Sequence, residues 1–119
     1  MCMVLVVEDE PLIRMLAVEL LEDAGYSVVD FGTADEAMAF CRNPANDLAV
    51  VFTDINMPGD LDGIDVAQLV AAIRPNAAIV VTSGRYGAKP PDLAPHVRFL
   101  PKPWTEHRLI DIIRDLAPL

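Results

Sequence analysis

Short apolar runs alternate along the chain with segments whose apolar residues recur every three or four positions. The run MVLVV at residues 3–7 is continuously apolar and has polar neighbours, which predicts a strand buried on both faces. Strands that alternate with helices predict right-handed crossovers and a parallel sheet covered by helices. We expect five strands, at residues 3–7, 27–31, 48–53, 77–82 and 97–100.

Helices are predicted between these strands from their ends and their periodicity. Pro11 is tolerated in a first helical turn, and Gly25 is a typical stop after a last turn. Thr33, with Glu36 three residues later, forms a capping-box pattern ahead of the second helix. Apolar residues at helical spacing predict two more helices, one with Val66, Leu69, Val70 and Ile73, and a last one with Leu109, Ile112, Ile113 and Leu116.

Residues 84–95 interrupt the alternation of strands and helices. The segment GRYGAKPPDLAP holds three prolines and two glycines, and it has no apolar helical period. The fourth helix is therefore predicted to be short, irregular or missing. The fold class is otherwise α/β, with five βα units, and we expect residues 1–119 to form a single domain with no output domain.

Composition and charge narrow the class of protein. Apolar residues make up 53% and charged residues 23%, as in folded globular domains. The formal charge of −9 argues against nucleic acid as a direct partner, because phosphate backbones are bound by clustered cations. Cys2 and Cys41 are too few for a disulfide scaffold or a structural zinc site, and we expect both to act as small hydrophobic residues. No apolar run reaches the roughly 18 residues of a membrane span and no basic leader precedes residues 3–7, so we expect a cytoplasmic protein without membrane contact.

Polar side chains with chemical potential follow the predicted strands. The carboxyl ends of parallel strands meet at one edge of the sheet, where α/β proteins bind ligands, so we expect these side chains to converge. In strand order they are Glu8 and Asp9, then Asp54, then Thr82 with Ser83, and finally Lys102.

The acids of this group predict a cation. Taken singly, Glu8 and Asp9 could be a polar first helical turn and Asp54 could cap a turn. Together, Asp9 and Asp54 would repel, because two charges ~4 Å apart at an effective dielectric of ~20 cost about 4 kcal/mol. Mg²⁺ prefers carboxylate and carbonyl oxygens, and no histidine or cysteine adjoins these positions in the sequence, which argues against zinc.

Lys102 is one of only two lysines in the sequence. It lies between Pro101 and Pro103, which restrict its backbone, so we expect its ammonium to be directed at the acids. Lys89 is expected to be an ordinary surface lysine. Thr82 alone could simply be a β-branched residue that ends a strand, but beside acids and a lysine its hydroxyl could donate to a bound oxyanion.

These residues resemble the receiver domain of two-component response regulators. The resemblance spans essentially the whole chain and implies a flavodoxin-like three-layer sandwich with strand order 2-1-3-4-5. It rests on landmarks that follow one another at suitable spacing, namely Glu8-Asp9, Asp54, Met57-Pro58, Asp62-Gly63, Thr82-Ser83 and Lys102-Pro103.

The resemblance implies that Asp54 accepts a phosphoryl group with Mg²⁺ as cofactor. Asp9 and Asp54 would be metal ligands, and Glu8 would be a ligand directly or through water. The backbone carbonyl of Asn56 would complete the protein ligands. The phosphodonor would be a sensor histidine kinase or a histidine phosphotransfer protein.

The resemblance also implies a switch. Lys102 would pair with the acceptor carboxylate and then with a phosphoryl oxygen, and the peptide bond before Pro103 would be cis. Thr82 would hydrogen-bond the phosphoryl group, and Phe99 would take the aromatic switch position. The domain would not be an enzyme beyond its own phosphoryl transfer and dephosphorylation, and its output would be a downstream protein target or a homodimer.

Three features depart from the family's pattern. The loop GDLDG, which follows Pro58 and ends at Gly63, is one residue longer than usual. The switch aromatic, Phe99, has no hydroxyl, and residues 84–95 replace a helix of the usual signalling face. The phosphorylation chemistry is compatible with all three, whereas the output mechanism does not transfer.

Two other functions compete with the phosphoacceptor. One is a receiver-like adaptor or dimerisation module that works without phosphorylation, which would have no need to keep the acids, Thr82 and Lys102 together. The other is a phosphatase of the haloacid dehalogenase type, which needs an aspartate two residues after the acceptor, where this chain has Asn56.

Overall fold

The computed structural model describes residues 3–119 as five strands and four helices. In chain order these are β1 (Met3–Val7), α1 (Pro11–Asp23), β2 (Ser27–Phe31), α2 (Ala34–Arg42), β3 (Val50–Asp54), α3 (Gly63–Ile73), β4 (Ala78–Ser83), β5 (Arg98–Pro101) and α4 (Glu106–Leu116). The strands form one parallel sheet in the order β2-β1-β3-β4-β5, which confirms the flavodoxin-like topology.

The sheet is buried on both faces, and successive residues of β1 show why the strand is continuously apolar. Leu5 and Val7 belong to an apolar cluster on one face, and Val4 and Val6 belong to a second cluster on the other. Helices α2 and α3 cover the first cluster, and α1 and α4 cover the second. Burying a valine or leucine side chain contributes about 1.5–3 kcal/mol, so apolar contacts with the strands are the main interaction that holds both helical layers on the sheet.

The helix ends follow the predicted chemistry. Pro11 occupies the first turn of α1, and Gly25 follows this helix with a φ of 102°, which glycine adopts without strain. Thr33 accepts a hydrogen bond from the Glu36 N–H at 3.3 Å and donates to its carboxylate at 2.9 Å. The N-terminus of α3 carries a capping box between Asp62 and Asp65 that the apolar pattern did not indicate.

No helix forms between β4 and β5, a connection that the structure describes in full. Residues 84–95 are attached to the core through Leu93, which is buried. Lys89 is half-buried and donates from Nζ to the carbonyls of Ala94 at 3.2 Å and Pro95 at 3.1 Å. The structure thus differs from the expected surface lysine, because carbonyls outside a helix need other donors and Lys89 supplies them.

The element boundaries differ from the predicted ones by one or two residues. Strand β3 begins at Val50 rather than residue 48 and extends to Asp54, which pairs with Thr82 of β4. Cys41 is buried, as expected, whereas Cys2 lies outside the described residues. Within residues 3–119, no helix has both the length and the apolar character needed to cross a bilayer.

Candidate functional site

The predicted acids meet at the carboxyl edge of the sheet. Glu8 follows β1 and is 4% exposed, and Asp54 ends β3 and is 5% exposed. Together with Asp9, they offer three carboxylate oxygens that all lie within 4.8 Å of one another. Carboxylates are rarely buried without a partner, so this corner of the fold requires positive charge.

Lys102 supplies part of that charge from the turn after β5. Its Nζ lies 2.7 Å from Glu8 Oε1 and 3.1 Å from Asp54 Oδ2, and its side chain is 19% exposed. The peptide bond between Lys102 and Pro103 is cis, as the resemblance implied. One ammonium does not neutralise three carboxylates, so the cluster keeps an excess of negative charge that suits a divalent cation.

The pKa shifts in the cluster follow from this crowding. Burial and the neighbouring Glu8 carboxyl raise the pKa of Asp9 above its ordinary value, although the charge of Lys102 acts in the opposite direction. Burial alone would lower the pKa of Lys102, but its hydrogen bond to Glu8 and the charge of Asp54 raise it overall. Lys102 is therefore an ammonium at neutral pH, and protonating Asp9 relieves repulsion.

The loop after β3 is fixed against Asp54. The N–H of Asn56 donates to Asp54 Oδ1 at 3.3 Å, and the N–H of Gly63 donates to the carbonyl of Ile55 at 2.9 Å. A Cβ atom at Gly63 would lie 1.9 Å from the carbonyl oxygen of Asp54, so only glycine lets α3 begin this close to the strand. The backbone carbonyl of Asn56, which the resemblance implies as a metal ligand beside Asp9 and Asp54, belongs to this loop.

Thr82 carries a buried hydroxyl that is available to a ligand. Its Oγ1 has no hydrogen-bond partner among residues 3–119, and Thr82 is 1% exposed. By contrast, the hydroxyl of Thr53, also buried, donates to the carbonyl of Asp54 at 2.9 Å. Leaving a buried polar group unpaired costs about 1–3 kcal/mol, so an oxyanion held beside Asp54 would gain a ready donor.

Phe99, the predicted switch aromatic, lies outside the acid cluster. It is half-buried on β5, opposite Val81 of β4, and packs against the apolar cluster that α2 and α3 cover. A side chain half in the core and half in solvent can move between the two without breaking a hydrogen bond.

The sequence interpretation missed Arg14, which holds the end of β1. Its Nη1 donates to the backbone carbonyl of Glu8 at 2.8 Å, and its Nε lies 3.2 Å from Asp30 Oδ2. A Cβ atom at Gly32 would lie 2.6 Å from Arg14 Nη1, so this glycine leaves room for the guanidinium. The sequence offers one indication of this role, since Arg14 is the only basic residue before Arg42 and lies among several acids.

Comparisons with known proteins agree with this geometry. A family profile described as response regulator receiver domain matches residues 4–114. The response regulator receiver protein CpdR of Brucella abortus is 31% identical over 119 residues, covering 98% of this chain and 94% of CpdR. The crystal structure of the response regulator TrrA of Thermotoga maritima, in complex with Mg²⁺ and BeF, has a TM-score of 0.83 and 28% identity, covering 98% of this chain and 100% of TrrA.

The chain belongs to the response regulator receiver domain family of two-component systems, a family of signalling domains rather than classical enzymes. Other relatives are much longer than the region they share with this chain. The transcriptional regulatory protein PdtaR of Mycobacterium tuberculosis is 38% identical over 81 residues, and the match covers 67% of this chain but 38% of PdtaR.

Proposed function

We propose that Asp54 accepts a phosphoryl group from a phosphohistidine, with Mg²⁺ as cofactor, and that the acyl phosphate switches a protein-interaction surface. The observation that carries the proposal is the grouping of Glu8, Asp9 and Asp54 around the ammonium of Lys102. A fold gains nothing from burying like charges unless a ligand uses them.

The residues present fit Mg²⁺. The donors are hard carboxylate oxygens from Glu8, Asp9 and Asp54, and the backbone carbonyl of Asn56 is an oxygen of the same kind. Mg²⁺ bound by these groups would neutralise charge on the phosphoryl oxygens and on Asp54. The ammonium of Lys102 contacts both Glu8 and Asp54, so it still has one carboxylate partner when either contact is lost.

The chemistry of the transfer follows from the geometry of Asp54. A carboxylate oxygen of Asp54 attacks phosphorus in line, so that a P–O bond forms while the P–N bond of the phosphohistidine breaks and the imidazole leaves with the electron pair. Lys102 then pairs with a phosphoryl oxygen, and the Thr82 hydroxyl donates to another. Because phosphoryl transfer needs mainly positioning and charge stabilisation, no further catalytic side chain is required.

The switch follows from the charge added to Asp54. A phosphoryl group adds about −1.5 to −2 charges and several acceptor oxygens, which attract the unpaired hydroxyl of Thr82. Thr82 pairs with Leu100 of β5, the residue that follows Phe99. In the proposed switch, Phe99 turns into the space that the displaced Thr82 leaves. The two positions of this pair form a two-state element that phosphorylation biases.

The surface beside the site supports a protein phosphodonor. Helix α1 exposes three large apolar side chains, Leu12 at 78%, Met15 at 56% and Leu16 at 48%. A surface cavity of about 550 Å³ runs from Leu16 to Lys102 and Trp104. A phosphohistidine that reaches Asp54 must come from a partner covering this edge, so a sensor histidine kinase or a histidine phosphotransfer protein would bury these residues.

The experiment is incubation with a small phosphodonor and Mg²⁺, followed by intact-mass measurement. We expect the mass of one phosphoryl group on the wild type and on Asp60→Asn, a control that removes an exposed acid of the same loop. We expect no gain on Asp54→Asn. A gain that persists in Asp54→Asn would reject the proposal, and steady turnover of a phosphomonoester would favour a phosphatase instead.

A further inference from the structure

Ser83 contacts both neighbours of the Asp54 carboxylate. It ends β4 and is 1% exposed. Its backbone carbonyl accepts the N–H of Lys102 at 3.1 Å, and its hydroxyl lies 2.7 Å from Asn56 Oδ1. Lys102 and Asn56 each hydrogen-bond one oxygen of Asp54. Ser83 thereby links the turn that carries the Lys102 ammonium to the loop that carries Asn56, a predicted metal ligand.

The hydroxyl of Ser83 is fully used. It accepts the N–H of Arg85 at 3.0 Å and the N–H of Tyr86 at 3.4 Å. With both acceptor positions occupied, its one proton is directed to Asn56 Oδ1. The bond belongs to a partly buried network, in which neighbouring hydrogen bonds strengthen one another.

These bonds attach the segment that replaces a helix to the site. Residues 84–95 leave the sheet directly after Ser83, and Arg85 and Tyr86 are both exposed. Further along, Lys89 bonds to carbonyls of the same segment rather than to the sheet. The conformation at the start of the segment therefore depends on where the Ser83 hydroxyl lies.

We propose that Ser83 is a positioning residue that couples cation binding at the acid cluster to the conformation of residues 84–95. The inference rests on the proposed Mg²⁺ site. Asn56 is held by its N–H on Asp54 and by its carboxamide on Ser83, so two contacts restrain the residue whose backbone carbonyl is the proposed ligand. A cation that draws this carbonyl moves the carboxamide, the Ser83 hydroxyl and the two amides bonded to it. By linkage, loosening the segment weakens the cation site to the same extent.

The first test is a double-mutant cycle on Mg²⁺ affinity, measured by titration calorimetry. Ser83→Ala removes the hydroxyl, and Asn56→Ala removes the carboxamide but keeps the backbone carbonyl. We expect each variant to bind Mg²⁺ roughly two- to tenfold more weakly, the range for loss of one hydrogen bond. We expect Ser83→Ala/Asn56→Ala to bind no more weakly than either single variant, because both remove the same bond.

The second test is amide hydrogen exchange at Arg85 and Tyr86 with and without Mg²⁺. We expect Mg²⁺ to slow exchange of both amides in the wild type and to have no such effect in Ser83→Ala. A purely structural serine would leave that Mg²⁺ response intact. If Ser83→Ala does not fold, Asn56→Ala must show the same lost response, or the inference is wrong.

The outcomes separate the inference from the proposed function. A wild type that binds no Mg²⁺ overturns both the inference and the metal role. A wild type that binds Mg²⁺, with additive losses in the cycle or an unchanged exchange response, overturns only the coupling through Ser83.

Discussion

Replacing Lys102 with methionine removes the ammonium while keeping an unbranched side chain. The Lys102 Nζ lies within 3.1 Å of both Glu8 and Asp54, whose side chains are almost fully buried. Removing one partner of a buried ion pair costs about 3–5 kcal/mol, because a charge is left uncompensated. Lys102 is itself partly exposed, so we expect Lys102→Met to lower the free energy of unfolding by an amount at the low end of this range, about 3 kcal/mol at pH 7 without Mg²⁺.

The sign of the pH dependence follows from the acids. In Lys102→Met the carboxylates lose the ammonium whose charge lowers the pKa of Asp9, so the pKa of Asp9, already raised, should rise further and the variant should recover stability as pH falls. Saturating Mg²⁺ should restore part of the loss at pH 7 through mass action. Urea denaturation at pH 7 and pH 5, with and without Mg²⁺, measures each of these differences.

The other lysine provides a matched control. Lys89 donates to the carbonyls of Ala94 and Pro95 and has no acid partner in these bonds. Lys89→Met should lose about 1 kcal/mol, with no response to Mg²⁺. Equal losses in the two variants, or a Lys102→Met loss that neither pH nor Mg²⁺ changes, would show that the ammonium of Lys102 does not stabilise the buried acids.

Three further predictions test other parts of the site and core. Because the pKa of Asp9 is raised above 3.8, its ordinary value, the charged form of Asp9 opposes folding at pH 7. In thermal melts at pH 7, Asp9→Asn should be about 1 kcal/mol more stable than the wild type without Mg²⁺, and adding Mg²⁺ should stabilise it less than it stabilises the wild type. Thr82→Val removes an unpaired buried hydroxyl, so the protein should melt no lower than the wild type yet bind beryllofluoride with Mg²⁺ more weakly; a lower melting temperature with unchanged binding would contradict this. Cys41 is buried, which raises the pKa of its thiol, so in a Cys2→Ser variant at pH 8 its alkylation should proceed only as fast as global unfolding. Rapid alkylation in native buffer would contradict this.

The sequence predicted the sheet because a strand buried on both faces needs apolar residues at successive positions. Val4 to Val7 are fully buried, as a central strand requires, and five strands with helices predicted between most of them leave few topologies. The convergence of Glu8, Asp54 and Lys102 followed from the same rule, since Asp54 ends a strand and Glu8 and Lys102 each follow one directly. The strand ends were located from the sequence to within a residue or two, which was sufficient to place these side chains at one edge of the sheet.

The missed contacts all depend on loop conformation. The bonds from Ser83 to Asn56 and from Arg14 to the Glu8 carbonyl join residues 27 and 6 positions apart, and neither involves a regular hydrogen-bond ladder. Lys89 was misjudged because its partners are carbonyls left free by a missing helix. Such partners are set by the path of the backbone, for which the apolar pattern gives no signal.

The proposed function requires the Asp54 carboxylate to become an acyl phosphate. Treating the protein with a small phosphodonor and Mg²⁺, reducing it with borohydride and sequencing its peptides by mass spectrometry identifies the residue, because reduction converts an aspartyl phosphate to homoserine. We predict homoserine at position 54, dependent on Mg²⁺ and absent when Asp9→Asn removes a ligand. Unmodified Asp54 after treatment, or homoserine at another aspartate, would contradict it.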